Sequence, residues 1–242
     1  MPDYQYGNTT IEYTLEYKPD AKDIIISVDW IDGVKVIIPP SVDDIKLQEV
    51  LHKKSPWIMS KWYEFEEIDL PPNPKEYVSG EKFLYLGRAY RLKVQKEATA
   101  AKSSLLFQKG RFIGTVPMNT TQGEVAEQLR SLLVNWYMLH GQAKLLERLK
   151  IYGPKMGVSP SKLQLKDQKM RWGSCAADQS IYINWRIMMA PMKVIDYVLV
   201  HEMGHLKYPN HSSDFWQFVR SILPDYDERK DWLRIHGPIL TL

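Results

Sequence analysis

The 242-residue sequence predicts an α+β protein in which a strand-rich N-terminal region precedes a domain with one long helix, a small β-sheet and a short buried helix. Short runs of alternating apolar and polar residues dominate the first part of the chain. Apolar residues at helical spacing dominate a long stretch that begins after residue 120. The composition, with 44% hydrophobic and 25% charged residues, is that of a globular protein and excludes wholesale disorder, collagen and fibrous repeats.

The first forty residues are expected to form a β-meander. Alternation and turn residues predict a turn at Asp32-Gly33 and three strands, over residues 10–17, 23–28 and 34–38. Strand character returns between Lys82 and Thr115. The N-terminal region is therefore predicted to be mainly β-structure.

Two helices are predicted between these strand regions. Ser41 suits the N-cap of the first, because its hydroxyl can accept a hydrogen bond from the first helical turn. Ser55-Pro56 predicts the start of a second helix that runs to Trp62, since proline is favoured in a first turn. The segment Pro71-Pro72-Asn73-Pro74 then stops helical structure.

A long helix is predicted to open the second half of the chain. Thr121 and Glu124 have the spacing of a capping box, and apolar residues recur at helical spacing as far as Lys150. The helix is expected to end at Gly153-Pro154. We place a boundary near Met118, so that residues 1–118 form the β-rich region and residues 119–242 form the second domain. No internal repeat is detected in the sequence.

Two short strands are expected to border a substrate cleft. Residues 163–166 and 181–185 have strand character and flank a loop, Arg171-Trp172-Gly173-Ser174-Cys175. As an edge strand, residues 181–185 can pair with an extended peptide, which makes Arg171, Trp172 and Asn184 cleft candidates. The alternative is that the tryptophans are core residues and Arg171 is a structural ion-pair partner.

Charge and hydropathy narrow the choice of partners. The net charge of +3 is well below that of a dedicated DNA-binding protein, so nucleic acid stays an unproven partner. No apolar run approaches the roughly 20 residues that a membrane span needs. The single cysteine, Cys175, cannot form an internal disulfide, and this favours a cytoplasmic location. The oligomeric state is not predicted.

The clearest chemical signal is His201-Glu202-Met203-Gly204-His205, within a helix predicted to start at Pro191. Side chains four residues apart lie on one helix face, so both imidazoles can bind one ion with Glu202 beside them. In a zinc hydrolase, a third protein ligand completes the set, and the metal lowers the pKa of a bound water to about 7. Glu202 would then take a proton from that water and pass it to the leaving amine.

The favoured third ligand is His211. It lies ten residues after His201, beyond Tyr208-Pro209-Asn210, where proline stops the helix and asparagine tolerates the conformation that a chain reversal needs. This spacing equals that of metzincin proteases, although tyrosine replaces the glycine that they use for the reversal. The alternative third ligand is a carboxylate from a later helix, with Asp225 and Glu228 as candidates.

Several other residues have open roles. Cys175 can approach a metal as a thiolate, but a buried free thiol is the simpler interpretation. The oxyanion of a tetrahedral intermediate has three candidate donors that the sequence does not rank: Tyr208, Tyr226 and His236. Tyr208 is also a cleft candidate. Gly204 lowers the stability of a helix by about 1 kcal/mol relative to alanine. Close packing of another backbone against the helix would explain a glycine at this position.

A set of segments around this motif follows one family pattern. They are Arg171–Cys175, Ile181–Trp185, Ala190-Pro191, Ile195–Val198, Asn210-His211-Ser212 and Phe215-Trp216, together with Gly80-Glu81 and Tyr85–Leu92. In this order they resemble the YgjP-like family of zinc metallopeptidases over nearly the whole chain. The resemblance implies a zincin-like domain related to the SprT, Spartan and WLM proteases. It also implies zinc ligands at His201, His205 and His211, with Glu202 as the catalytic residue. Modest departures occur at Met170, Ala176 and Met203-Gly204.

We therefore expect a zinc-dependent metallopeptidase that hydrolyses a peptide or protein substrate, with a zinc-activated water as nucleophile and Glu202 as general base. Two alternatives stay open. The first is a DNA-associated protease or adaptor, whose DNA affinity would depend on salt. The second is a non-catalytic interaction protein with structural zinc, whose fourth coordination position would be filled, for example by Cys175.

Overall fold

The computed structural model describes residues 2–21, 23–29, 33–66, 74–168, 172–209 and 211–242. The protein has a mixed α+β architecture, as predicted. Contacts divide the chain into two compact units, Met1–Ile68 and Asp69–Leu242. The boundary predicted near Met118 falls inside the second unit, because strands before it and a helix after it share one hydrophobic core. In the described part of the chain, no helix combines the length and apolar character of a membrane span.

The first unit is a four-stranded sheet with one helix. Its elements are β1 (Asp3–Tyr6), β2 (Thr9–Tyr17), β3 (Ile25–Asp29), β4 (Gly33–Ile38) and α1 (Asp44–Glu66). The strand order is β1-β2-β4-β3, with β2 parallel to β4 and both outer pairs antiparallel. Three strands agree with the prediction, whereas β1, whose Tyr4 and Tyr6 pack against the core of this unit, was missed. The predicted β-meander is wrong, because β2 pairs with β4 rather than with β3. Asp32, in the predicted turn, lies outside the described residues.

Helix α1 is continuous, and the prediction of two helices is wrong. Its N-cap is Asp43, whose carboxylate accepts a hydrogen bond from the third backbone N–H after it, rather than Ser41. Pro56 lies inside the helix. Leu51 before it and Ile58 after it are both fully buried in the same core, so burial on both sides outweighs the backbone hydrogen bond that proline removes.

The second unit contains two sheets and four α-helices within the described residues. The first sheet and its helix comprise β5 (Lys82–Tyr85), β6 (Arg88–Glu97), β7 (Ser104–Gln108), β8 (Arg111–Pro117) and α2 (Gln122–Met156). The remaining elements are β9 (Lys162–Lys166), β10 (Gly173–Cys175), β11 (Ser180–Asn184), α3 (Met192–Gly204), α4 (Ser213–Ile222) and α5 (Tyr226–His236). A 3-10 turn, Trp185–Met189, connects β11 to α3. One hydrophobic core joins all these parts.

The long helix α2 begins as predicted. Thr121 accepts a hydrogen bond from the Glu124 backbone N–H, and the Glu124 carboxylate accepts one from the Thr121 N–H. The helix continues through Pro154 and ends at Met156, so the predicted end at Gly153-Pro154 is wrong by a few residues. Gly157, with a φ of +62°, provides the left-handed residue that closes the helix.

The small sheet has an edge strand that the sequence did not predict. Its order is β10-β11-β9, with β11 antiparallel to β10 and parallel to β9. Residues 173–175, predicted as part of a loop, pair with β11 and form the edge. The strand predicted at residues 181–185 is therefore central and buried, and the prediction that it is an edge strand is wrong.

The two four-stranded sheets repeat one topology. The second has the order β5-β6-β8-β7 with the same strand directions as the first. The registers also correspond: Tyr13 lies opposite Val34 in the first sheet, and Leu92 lies opposite Phe112 in the second. A helix follows each sheet, and the two helices start 78 residues apart. The repeat was missed because its matching positions share buried apolar character rather than residue identity.

Two substitutions at matching positions of the repeat test whether the two units have separate cores. Leu51 in α1 and Leu129 in α2 are separated by the same 78 residues, and both are fully buried. We expect Leu51→Ala and Leu129→Ala each to cost about 2–5 kcal/mol of unfolding free energy, because each leaves a cavity in its own core. Urea unfolding monitored by hydrogen exchange should show Leu51→Ala weakening the first unit and Leu129→Ala the second. Equal weakening of both units by either variant would contradict independent cores.

Candidate metal centre

The end of α3 and the start of α4 bring three histidines together. His201 lies within α3, His205 caps its C-terminus, and His211 precedes α4. The His205 Nδ1–H donates to the carbonyl oxygen of Tyr208 at 3.0 Å, which holds the turn after the helix. Ser212, the N-cap of α4, directly follows His211 and accepts a hydrogen bond from the first turn of that helix.

The ligand atoms of these histidines converge. One nitrogen from each of His201, His205 and His211 lies within 4.8 Å of the other two. The Nε2 atoms of His201 and His211 are 3.0 Å apart. Within the described residues, neither Asp225 nor Glu228, the alternative third ligands, belongs to this cluster. The Asp225 carboxylate is instead 2.8 Å from the Arg229 guanidinium.

The histidines fit a zinc ion. Burial lowers the pKa of His201 to about 3, and the neighbouring imidazoles add to this effect, so the ring is neutral at pH 7. Burial also lowers the pKa of His211. The hydrogen bond at His205 Nδ1 leaves its Nε2 as the lone-pair nitrogen. Nitrogens bound to tetrahedral zinc at 2.0–2.1 Å lie about 3.3 Å apart. The 3.0 Å between the Nε2 atoms of His201 and His211 approaches this separation.

Glu202 lies beside the cluster and against strand β10. Its side chain is buried, with a residue exposure of 7%. A Cβ atom added to Gly173 would lie 2.6 Å from Cγ and 2.7 Å from Cδ of Glu202, closer than side chains pack. Only glycine at this position of β10 therefore leaves room for the carboxylate. Gly173 belongs to the motif Arg171–Cys175, but its contact with Glu202 was not predicted from the sequence.

A cavity of about 670 Å³ opens over the histidines and Glu202. One wall is β10 and the turn after it, residues 173–177, and the opposite wall is the end of α3. Cys175 lines this cavity and is half-buried. Burial, with smaller effects from Glu202 and Asp178, raises the pKa of its thiol, which opposes thiolate formation. Its sulfur is not part of the ligand cluster found among the described residues.

The predicted cleft residues have other contacts. Arg171 lies outside the described residues. The Trp172 ring lies against Gly237, near the C-terminus, where an added Cβ atom would be 3.1 Å from Cζ2 of the indole. The Asn184 amide donates to the carbonyl oxygen of Gln168 at 2.7 Å, and its side-chain oxygen caps the 3-10 turn. The Tyr208 ring packs on Phe218, 5.6 Å away between centroids. Trp172, Asn184 and Tyr208 are not among the residues that line the cavity.

The remaining oxyanion candidates are involved in aromatic packing. Tyr226 is buried and stacks on Trp216, and its hydroxyl accepts a hydrogen bond from Arg220 at 3.3 Å. His236 stacks on Trp232 with centroids 4.5 Å apart. Tyr208, Tyr226 and His236 therefore remain unranked as oxyanion donors.

A partly buried ion pair anchors α3. Asp196, with a residue exposure of 5%, accepts two hydrogen bonds from the Arg148 guanidinium of α2, at 2.6 and 2.8 Å. The Tyr152 hydroxyl donates to the same carboxylate at 3.0 Å. The paired donors satisfy the buried carboxylate and join α3 to α2.

Three imidazoles around one point, with a buried glutamate beside them, define a candidate site for a metal-dependent hydrolase. The family model described as "YgjP-like, metallopeptidase domain" matches residues 22–236, and the chain belongs to this family. The family assignment identifies the class of the protein as a metallopeptidase.

A solved structure, the crystal structure of the metallopeptidase zymogen of Pyrococcus abyssi abylysin, is similar at 22% sequence identity. The likeness covers 37% of this chain and 90% of that chain, with a TM-score of 0.35, and supports no conclusion about fold or function. No curated protein matches this chain.

Proposed function

We propose that this protein is a zinc-dependent metallopeptidase with a zincin-like catalytic domain. The observation that carries the proposal is the convergence of the ligand nitrogens of His201, His205 and His211 beside the buried carboxylate of Glu202. Membership of a metallopeptidase family supports it. The absence of Cys175 from the cluster favours an open catalytic site over a closed structural one.

Each residue of the site has a defined task in this proposal. His201, His205 and His211 would hold the metal through neutral imidazole nitrogens. Bound zinc would supply Lewis-acid chemistry, polarising the scissile carbonyl group. Glu202 accepts a proton from the attacking water at its carboxylate and donates it to the leaving amine. The cavity wall beside Gly173 keeps that carboxylate next to the histidines.

Strand β10 is the proposed binding edge for an extended peptide. Along an antiparallel pair, residues alternate between those that bond to the partner strand and those that do not. The Trp172 carbonyl accepts from the Asn184 N–H at 2.8 Å, so Gly173 and Cys175 direct their N–H and C=O groups away from β11. These groups lie at the free edge that borders the cavity, where a substrate backbone can pair with them.

Metal content and coordination test the proposed function without a known substrate. We expect purified protein to bind one zinc per chain, with three nitrogens and one oxygen detected by X-ray absorption. His211→Ala should weaken zinc binding, because it removes one of the three ligands. His140→Ala, which changes an exposed histidine of α2, is the matched control and should bind zinc as the parent does. A sulfur ligand, or no metal, would contradict the proposal.

A further inference from the structure

Phe215 of α4 contacts all three histidines. The ring is fully buried, and its centroid lies 4.6 Å from that of His205, 4.9 Å from His211 and 5.0 Å from His201. It is stacked on His205 and nearly perpendicular to the other two rings. Phe215 therefore forms a common base on which the three imidazoles pack.

The next residue, Trp216, adds a second aromatic contact. Its ring is stacked on His211 at 5.5 Å with an interplanar angle of 19°, and it lies 5.6 Å from His201. Residues of α5 hold the indole in turn. Tyr226 stacks on it at 5.3 Å, and the Lys230 ammonium lies 5.0 Å from the ring.

Gly204 makes room for this arrangement. A Cβ atom at Gly204 would lie 2.8 Å from Cε2 of Phe215, closer than side chains pack. The expectation that another backbone packs against this glycine is wrong, because the neighbour is the Phe215 ring. A glycine inside the metal-binding helix therefore allows Phe215 to approach the histidines closely.

Within the described residues, a hydrogen bond from Nδ1 to a backbone carbonyl orients one of the three imidazoles, that of His205. Metal-binding histidines commonly donate their second ring N–H to a carbonyl or carboxylate, which sets the ring orientation. His205 does so through Tyr208. His201 Nδ1 is buried with no hydrogen-bond partner within the described residues, and His211 Nδ1 makes no such bond there either. The terminal torsion of an imidazole is otherwise broad, and the contacts with the Phe215 and Trp216 rings restrict it in these two side chains.

We propose that Phe215 and Trp216 are positioning residues that hold the imidazoles of His201 and His211 in their metal-binding orientation. At other metal sites, hydrogen bonds to the second ring nitrogen of each histidine set this orientation. This inference rests on the proposed metal site. It goes further by assigning the preorganisation of that site to two aromatic residues of α4.

Trp216 is the residue to change first, because it is only partly buried whereas Phe215 is part of the core. We expect Trp216→Leu to weaken zinc binding about 10- to 100-fold, the usual cost of losing an orienting partner. Trp216→Phe keeps a flat ring and should recover most of the affinity. Chelator competition measures the zinc affinity. The visible absorption spectrum of the cobalt-substituted protein reports the ligand geometry and should change in Trp216→Leu.

Trp232→Leu is the matched control. Trp232 stacks on His236 at 4.5 Å, so the same pair of ring types is disrupted outside the cluster. This variant should bind zinc with the parent affinity and spectrum. Thermal unfolding of each metal-free variant measures the purely structural cost of the substitution.

The outcomes separate this inference from the proposed function. Zinc affinity within twofold of the parent and an unchanged cobalt spectrum in Trp216→Leu would overturn the positioning role. Phe215→Leu provides a second test of the same role and should also lower affinity and alter the spectrum. By contrast, a parent protein that binds no zinc, or a His211→Ala variant that binds it equally tightly, would overturn the metal site itself.

Discussion

Replacing Glu202 with glutamine is expected to lower kcat for peptide hydrolysis by about 10²- to 10⁴-fold, the usual contribution of a positioned general base. The amide has nearly the same shape as the carboxylate but does not accept a proton from water. Because Glu202 is not one of the three histidine ligands, zinc content should match that of the parent. Cleavage of a quenched-fluorescent peptide library measures the rate, and elemental analysis measures the zinc.

Glu127→Gln is the control for this change. Glu127 is an exposed residue of α2, so the same replacement there should leave both rate and zinc content unaltered. Hydrolysis by Glu202→Gln at the parent rate, with zinc bound, would refute the assignment of Glu202 as the base. Loss of zinc in this variant would show that Glu202 has a structural role at the centre.

Adding one methyl group at Gly173 is expected to reduce kcat by about 10²-fold or more, since a misplacement of about 1 Å in a catalytic group has effects of this size. The new Cβ would lie 2.6 Å from Cγ of Glu202, so the carboxylate must move. The helix that carries Glu202 is buried and anchored by Asp196 to Arg148, which favours displacement of the side chain over that of the helix. Zinc binding should persist, because the three histidines remain in place.

Gly123→Ala provides the comparison for the Gly173→Ala variant. An added Cβ at Gly123, in the first turn of α2, meets no atom within 4 Å. This variant should cleave the same peptides at the parent rate and bind one zinc. A Gly173→Ala protein with parent activity would show that Glu202 tolerates the methyl group and that glycine is not required at this position.

Local sequence rules predicted much of the fold. The capping box at Thr121 and Glu124 forms as expected, because its hydrogen bonds join residues only three positions apart. Three strands of the first sheet also agree with the alternation of apolar residues. Where local rules failed, distant contacts outweighed them: Pro56 lies inside α1 because residues on both sides are buried against the sheet.

By itself, the sequence determined the chemistry that is available. The spacing of His201 and His205 puts two imidazoles on one helix face, and Glu202 directly follows the first of them in the chain. These relations depend on helix geometry over four residues. They would hold in any protein in which this segment is helical.

Only the tertiary structure decided how that chemistry is arranged. Gly173 meets Glu202 from a strand about thirty residues away in the chain, and Phe215 meets His201 and His205 from a separate helix. The edge position of β10 likewise depends on its pairing with β11. Such contacts join residues that are remote in sequence, so no local pattern encodes them. They form only when the buried surfaces of different elements pack together.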